Sequence, residues 1–569
     1  VDGTREAVTM VASGTRAALP AVLTDWAADL RAGRIDAAGW EHGVEPGWAA
    51  SGAMALTGHP DGPPLGLTVP LVARLDAALA VIRTLAAELG HPLTASDGSD
   101  RRPVAGAGRP GAEYPAASST ATPPGAPASA GQLLGERAAA LGLTRGGLLS
   151  PGRAARLVRA SDGWLAVNLA RIDDVDLLPA WLERDDLAPA DDDHADENRP
   201  AEARPVTERS GPGPRAGDPR PAGGPGPAGD GGQPASRAIG TVRPWSAIAA
   251  AVADRAAAAL VERAELLGLP VALVVDPARA AADEQALARG QRFPFAPFLV
   301  DGRPPDAVTG RGEAGAQRGP RDGFTVVDLS SLWAGPLCAH LLGLAGGRVV
   351  KVEGAGRLDG ARQGPAAFYD LLHAGHASVV VDLRSAGGRA ELVRLIQRAD
   401  VVLEASRPRA LDQLGIDPAA MIARNPRLTW VSITGHGRTG PWRQRPAFGD
   451  DAAAAAGAVA VDAAGRPVFL ADAVADPVTG VLAAAAALAS LLAGGGHHVD
   501  IALREAVGSL LAGRPALPER DPTARPALRG QPPLAVAAPR MRVPAAQAFP
   551  PGHDNARLLA GPAAGGSSC

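Results

Sequence analysis

Val326-Val327-Asp328-Leu329 leads into Ser330-Ser331-Leu332-Trp333-Ala334-Gly335-Pro336, and Gly346-Gly347-Arg348 then turns the chain into Val349-Val350-Lys351-Val352-Glu353. Both valine-rich runs are short and β-branched, and the stretch between them has the length of a helix. This pattern marks a βαβ unit in a parallel sheet. Gly335 permits close backbone approach, and Pro336 suits the first helical position. A helix start there offers free N–H groups and a positive dipole end to an anion. Any βα turn has the same features, so a structural reading of this turn stands beside the functional one.

Outward from this unit the pattern continues. Val379-Val380-Val381-Asp382-Leu383, Asp400-Val401-Val402-Leu403 and Leu428–Ile433 are further strand-like runs, most of them separated by helical segments, and together they make residues 322–511 the most regular part of the chain. Upstream, residues 16–92 look helical. Residues 132–184 contain a turn and strand over Asp162–Asn168 and then a helix ending near Trp181, while residues 242–300 hold an Ala-rich helix and the apolar strand Val271–Val275. Residues 96–131 and 185–237 are dominated by Gly, Pro, small polar residues and an acidic run, and bury too little apolar area to offset the entropy of ordering them. They are expected to be disordered linkers, and the acidic run with His194 reads as solvated charge. An internal echo sets the helix ending at Gly90 against the one ending near Gly494, and places Ala73 opposite Asp476, so the first copy lacks the acid.

Composition removes several function classes. Lys and Arg number 56 against 60 Asp and Glu, a balance that suggests neither a nucleic-acid nor a membrane-surface partner. Two cysteines, Cys338 and Cys569, lie far apart and outside any CxxC arrangement, which excludes a disulfide framework and a Cys-rich metal site and points to a reducing cytoplasm. The Ala-rich run Val481–Leu492 is too short to span a bilayer and reads as a buried helix. No basic segment followed by an apolar block opens the sequence, so no export signal is expected. His497-His498 near Asp500 reads as a turn entering a strand, and Asp476 before Pro477 reads, on residue chemistry alone, as a helix N-cap with Pro at the first position.

Taken in series, the motifs say more. Asp328–Pro336, Gly346–Glu353, Ser378–Leu383, Ala399–Glu404 with Arg407-Pro408, Leu411–Gly415, Asn425–Leu428, Thr434–Pro441, Ala475–Gly480 and Val499–Leu503 resemble, in order, the family III CoA-transferases, the CaiB/BaiF group that includes formyl-CoA and carnitine CoA-transferases. The resemblance implies an α/β fold with a Rossmann-like parallel-sheet large domain and a smaller α+β domain. It also implies CoA transfer from an acyl-CoA to a carboxylic acid through an aspartyl anhydride and an aspartyl-CoA thioester, with Asp476 as nucleophile. Residues matching the family's CoA contacts are Leu332, Trp333, Ala334, Gly335, His376, Ala405, Ser406, Gln413 and Leu414. Thr434, Gly435 and Gly437 are the candidate loop for a developing oxyanion. CoA thioesters are substrates; no metal or further cofactor, no nucleic acid and no membrane is implied, and a cytoplasmic homodimer is expected.

Several positions depart from the family pattern. His373-Ala374-Gly375-His376-Ala377 stands where basic side chains usually help bind CoA, Ala405-Ser406 replaces Asn followed by an aromatic residue, and Gln413 replaces Arg. Related acyl-CoA racemases carry a His–Asp pair in the stretch that here reads Ala447-Phe448-Gly449-Asp450-Asp451, which makes 2-methylacyl-CoA racemization the second reading. A non-catalytic acyl-CoA-binding paralogue and a purely structural partner subunit are the others. The order of parts is also unusual, because small-domain-like sequence precedes the acid-bearing half. The expected division is an acid-less copy of the helical segment (1–95), a linker (96–131), a small-domain-like segment (132–184), a second linker (185–237), a small-domain or return segment (238–321), the acid-bearing half (322–515) and a return tail (516–569).

Overall fold

A computed structural model of the chain describes residues 45–93, 126–171, 173–187, 244–292, 295–302, 323–511 and 535–559. Most of both expected linkers and the first 44 residues lie outside them. Residues 126–131, at the end of the first expected linker, belong to ordered structure: the short helix Ala130–Leu133 begins there, with the Ser129 hydroxyl accepting from Gln132 N–H.

From the N-terminal side, helix α1 (Leu71–Glu88) and the short helix α2 (Glu136–Leu141) precede an antiparallel sheet. Its strands are β1 (Ala155–Arg159), β2 (Trp164–Asn168) and β3 (Val271–Leu273), so the pieces on either side of the second expected linker form one unit. Trp181, Ile248, Leu260 and Val261 fill the core of that unit. Strand β4 (Leu299–Gly302) then leaves it and joins the large sheet, whose other strands are β5 (Phe324–Asp328), β6 (Gly347–Gly354), β7 (Ala377–Val381), β8 (Val401–Glu404), β9 (Thr429–Thr434) and, after the hairpin β10 (Val459–Val461) and β11 (Pro467–Phe469), β12 (His497–Ala502). The order is β4-β12-β9-β8-β5-β6-β7, parallel throughout except for β4. The α/β reading of the sequence is what the chain adopts.

Helix α3 (Ala334–Leu344) links β5 to β6, as the opening motif requires. Helices α4 (Ala366–His373), α5 (Pro408–Leu414), α6 (Gly449–Ala455) and α7 (Ala475–Leu492) complete the part of the fold that positions the site. By length and hydropathy α7 would suffice to cross a membrane, but it is the central helix of the core, packed against α1, α3 and β9. Its Ala-rich sequence serves that position, because small side chains let neighbouring backbones come close on every face. Where α7 passes α3, a Cβ on Gly480 would lie 2.7 Å from the Ala334 carbonyl oxygen.

The tail closes the far edge of the sheet. Asn555 brackets Val380 of β7, its Oδ1 accepting from the Val380 amide and its Nδ2 donating to the Val380 carbonyl, both at 2.9 Å. Asp554 Oδ2 accepts from Ser378 N–H at 2.9 Å. Two side chains thus satisfy edge groups that would otherwise be open to pairing with another strand.

Candidate active site

The chain enters α7 through a strained corner. Ala471 and Ala473 both have positive φ, 54° and 45°, a region that residues bearing a Cβ rarely occupy. Three side chains from elsewhere pin the corner. Thr57 Oγ1 accepts from Ala471 N–H and Asp450 Oδ1 from Ala473 N–H, each at 2.9 Å. Between the two alanines, buried Asp472 is gripped by Arg137 of α2, whose Nε and Nη2 donate at 2.8 and 2.5 Å. Asp476 follows one turn later and remains partly exposed.

Asp476 is the second residue of α7, and Val474 occupies the N-cap position with no side-chain cap. The N-cap reading of Asp476 is therefore corrected: the strained corner starts the helix earlier than Pro477 suggests. Gly449 sits against the carboxylate, where a Cβ would lie 2.6 Å from Asp476 Oδ2. Burial pushes the Asp476 carboxyl up to about 7, with Arg137 opposing and Asp450 and Asp472 adding to the rise. Asp450 is raised to about 6, by burial first and Asp472 second.

On the same face of α7, one helical turn beyond Asp476, Gly480 meets the Ala334 turn. Leu332 there has φ 72° and 44% exposure, and its amide is held by Asp359 Oδ1 at 3.0 Å. Trp333 is buried, edge-on to Phe368, with the Arg137 guanidinium 5.6 Å from its ring centroid. Gly335 packs on Ser330 so closely that no Cβ fits. Leu332, Trp333, Ala334 and Gly335 are thus brought next to the helix turn that bears Asp476, and Arg137 spans the two.

The other expected CoA contacts are farther out. His376 is buried behind Gly343, and burial with the Lys351 charge lowers it to about 3, so it presents a neutral ring. Ala405 is exposed after β8, and Ser406 turns back, its N–H and hydroxyl both donating to Glu404 Oε2. Gln413 is exposed on α5, and Leu414 is half-buried. In this region the structure gathers arginines. Burial lowers Arg407, and the charges of Arg409, Arg171 and Arg357 lower it further, with Asp174 opposing. A group of guanidinium charges at the carboxyl ends of parallel strands suits a phosphate. Arg407 was visible as part of the motif series; Arg171 comes from the antiparallel unit, and no local signal announced it.

Thr434 ends β9, and Gly435 and Gly437 lie in the loop that follows. Gly437 donates its N–H to Thr434 Oγ1 at 2.9 Å and packs on Arg289, while Gln285 Nε2 donates to the His436 and Thr439 carbonyls. Arg289 in turn bridges Asp500 and Glu505. The Gly437 amide is therefore occupied within the loop. A Cβ on Gly435 would lie 2.6 Å from that of Ala447, which leads to Gly449. Gly449, to which the sequence assigned no role, is the glycine against the Asp476 carboxylate. His497 and His498 contact Ser490 and Ser432, and among the described residues no group of three metal-ligating side chains occurs.

Residues 322–533 match the model of CoA-transferase family III. This stretch belongs to that family. The chain is 33% identical over 211 residues to a succinyl-CoA–D-citramalate CoA-transferase of Chloroflexus aurantiacus, covering 34% of this chain and 52% of that protein. It is 32% identical over 212 residues to a succinate–glutarate CoA-transferase of Agrobacterium fabrum, covering 34% and 53%. A crystal structure of a CaiB/BaiF family protein from Brucella suis is 30% identical, with a TM-score of 0.32, 34% of this chain and 55% of that one being covered. The chain spans about half the length of the curated relatives it matches. The family III match includes β5 to β12 and Asp476, and leaves out the segment that contributes Arg137 and Arg171.

Proposed function

We propose that this family III chain moves CoA from an acyl-CoA to a carboxylic acid, with Asp476 as the covalent carrier. The observation that carries this reading is the partly exposed Asp476 carboxylate set between Gly449 and the Leu332–Gly335 turn, with arginines gathered at the ends of the parallel strands. The Asp476 oxygen attacks the thioester carbon, the C–S bond breaks and CoA leaves as thiolate, giving a mixed anhydride. Thiolate then attacks the aspartyl carbonyl and releases the first acid, and the second acid reverses both steps. Over the full cycle one thioester is broken and one is formed, so no cofactor beyond the CoA thioester is required. The rearranged order of segments fits the same reading, since upstream sequence supplies Arg137 and Arg171. Incubation with a panel of acyl-CoAs, followed by hydroxylamine and mass spectrometry, is expected to modify Asp476; modification elsewhere, or none, refutes the nucleophile.

The Asp476 carboxyl, raised to about 7, gives this reaction a pH signature. Only the carboxylate attacks, so kcat/KM for the acyl-CoA should fall about tenfold per unit as pH drops below about 7. A flat profile between pH 5 and 8 would contradict Asp476 as the nucleophile.

Racemization is the second reading, and Asp450 is the observation in its favour, a second buried carboxylate whose charge acts on Asp476. Against it, Asp450 Oδ1 accepts from Ala473 N–H, and Asp451 Oδ1 accepts from Phe448 N–H and from Asn168 Nδ2. These bonds give both acids structural work. A 2-methylacyl-CoA in deuterated water is expected to gain no enzyme-dependent α-deuterium; rapid deuteration with no adduct at Asp476 would favour the racemase.

A further inference from the structure

We propose that Arg137 is the carboxylate-binding residue of this site, receiving beside Asp476 the free acid that has released CoA or is about to accept it. This rests on Asp476 being the nucleophile. Arg137 spends Nε and Nη2 on Asp472, and Nη1 has no hydrogen-bond partner among the described residues. The side chain stays 28% exposed although Asp472 is fully buried. Trp333 lies across its guanidinium, and on the Nη2 side the backbone closes in, since a Cβ at Gly152 would lie 2.8 Å from Nη2. The guanidinium is therefore fixed in place by a fork and by neighbouring groups, with one edge left over. A planar guanidinium edge suits a carboxylate.

The reaction needs such a group. The substrate acid is an anion, and it must approach a site that already holds Asp450, Asp472 and Asp476. While Asp476 is free, its own charge competes for Arg137, which acts electrostatically on both Asp476 and Asp450. Once Asp476 carries CoA as a thioester it is neutral, and Arg137 can hold the incoming carboxylate. Its oxygen then attacks the aspartyl carbonyl, the C–S bond breaks, and the thiolate attacks the acyl carbon of the resulting anhydride to release Asp476. The same edge would hold the donor's acid as it departs.

The test uses the full chain and measures binding, with Asp476→Asn standing in for the neutral, acylated state. Formate, acetate, oxalate, succinate and octanoate are titrated calorimetrically into wild type, Asp476→Asn, and Asp476→Asn combined with Arg137→Met and Asp472→Asn. Removing the Asp472 charge with Arg137 avoids leaving a buried unpaired carboxylate. At least one acid is expected to bind Asp476→Asn about tenfold tighter than wild type, and the combined variant should lose about that factor or more. Arg137→Lys in the Asp476→Asn background, which keeps the charge and loses the planar edge, is expected to fall between them and serves if the combined variant does not fold. Binding of no acid by Asp476→Asn, or binding unchanged in the Arg137 variants, overturns the proposal. The two readings fail separately: acid binding that depends on Arg137, with no hydroxylamine adduct at Asp476, would sink the nucleophile and leave the binding residue.

Discussion

Asp476→Ala is expected to lower CoA transfer by about 10⁴-fold or more while CoA binding stays within a few-fold of wild type, as follows when a covalent nucleophile is removed from an otherwise intact site. The substitution should not cost stability. Asp476 is not the N-cap of its helix, and no hydrogen bond of the described structure depends on its carboxylate. Linkage gives the sign. The folded-state value of about 7 lies above the ordinary carboxyl value of 3.8, so the native state binds the proton more tightly than the unfolded chain does. Unfolding free energy from this group therefore falls as pH rises from about 4 to about 7. At pH 8 the alanine variant should melt at or above the wild-type temperature, and the gain should shrink as the pH approaches 4. Stopped transfer with normal CoA binding and this melting pattern would separate a chemical role from a structural one. Near-normal turnover would end the assignment.

The legible part of the site is the part carried by local sequence. The valine runs of β5, β6 and β7 and the Gly335-Pro336 helix start are decided within a few residues, and Asp476 stands in a motif of its own. What eluded the sequence is tertiary. Arg137 and Asp472 are 335 positions apart, and nothing near Arg137 distinguishes it from a surface arginine on a short helix. Arg171 reaches the Arg407 cluster because the antiparallel unit docks there. Gly449 looked like one more small residue in an Ala-rich stretch until α6 set it against the Asp476 oxygen. His376 matches a CoA contact in the motif series, yet its ring is buried against Gly343 just before β7 begins. The helix start at Ala475 escaped because Pro477 is a strong local signal, and strained backbone at Ala471 and Ala473 overrides it.

Lys351→Met should destabilise the protein by about 3–5 kcal/mol, the usual cost of removing one partner from a buried ion pair, and should weaken CoA binding as well. Lys351 on β6 lies directly opposite Asp328 on β5, and its side chain is only 2% exposed. Burial alone would lower the ammonium, but Asp328 and Asp359 outweigh it and hold Lys351 above its usual value. The ammonium donates to the Ser330 carbonyl and, at 2.9 Å, to Asp359 Oδ2, while Asp359 Oδ1 holds the strained Leu332 amide. One lysine thus fixes the end of β5, the exposed Leu332 side chain and the Trp333 turn. Methionine keeps the length of the stem but leaves two buried carboxylates without a cation. Urea denaturation should show the lower midpoint, and titration with CoA the weaker binding. Adding Asp328→Asn and Asp359→Asn should restore much of the stability, since the amides remove the unpaired charges and still offer an oxygen to Leu332 N–H. A single Lys351→Met variant as stable as wild type would show that this network contributes nothing net to the fold. Lost stability with unchanged CoA affinity would detach it from the Leu332 turn.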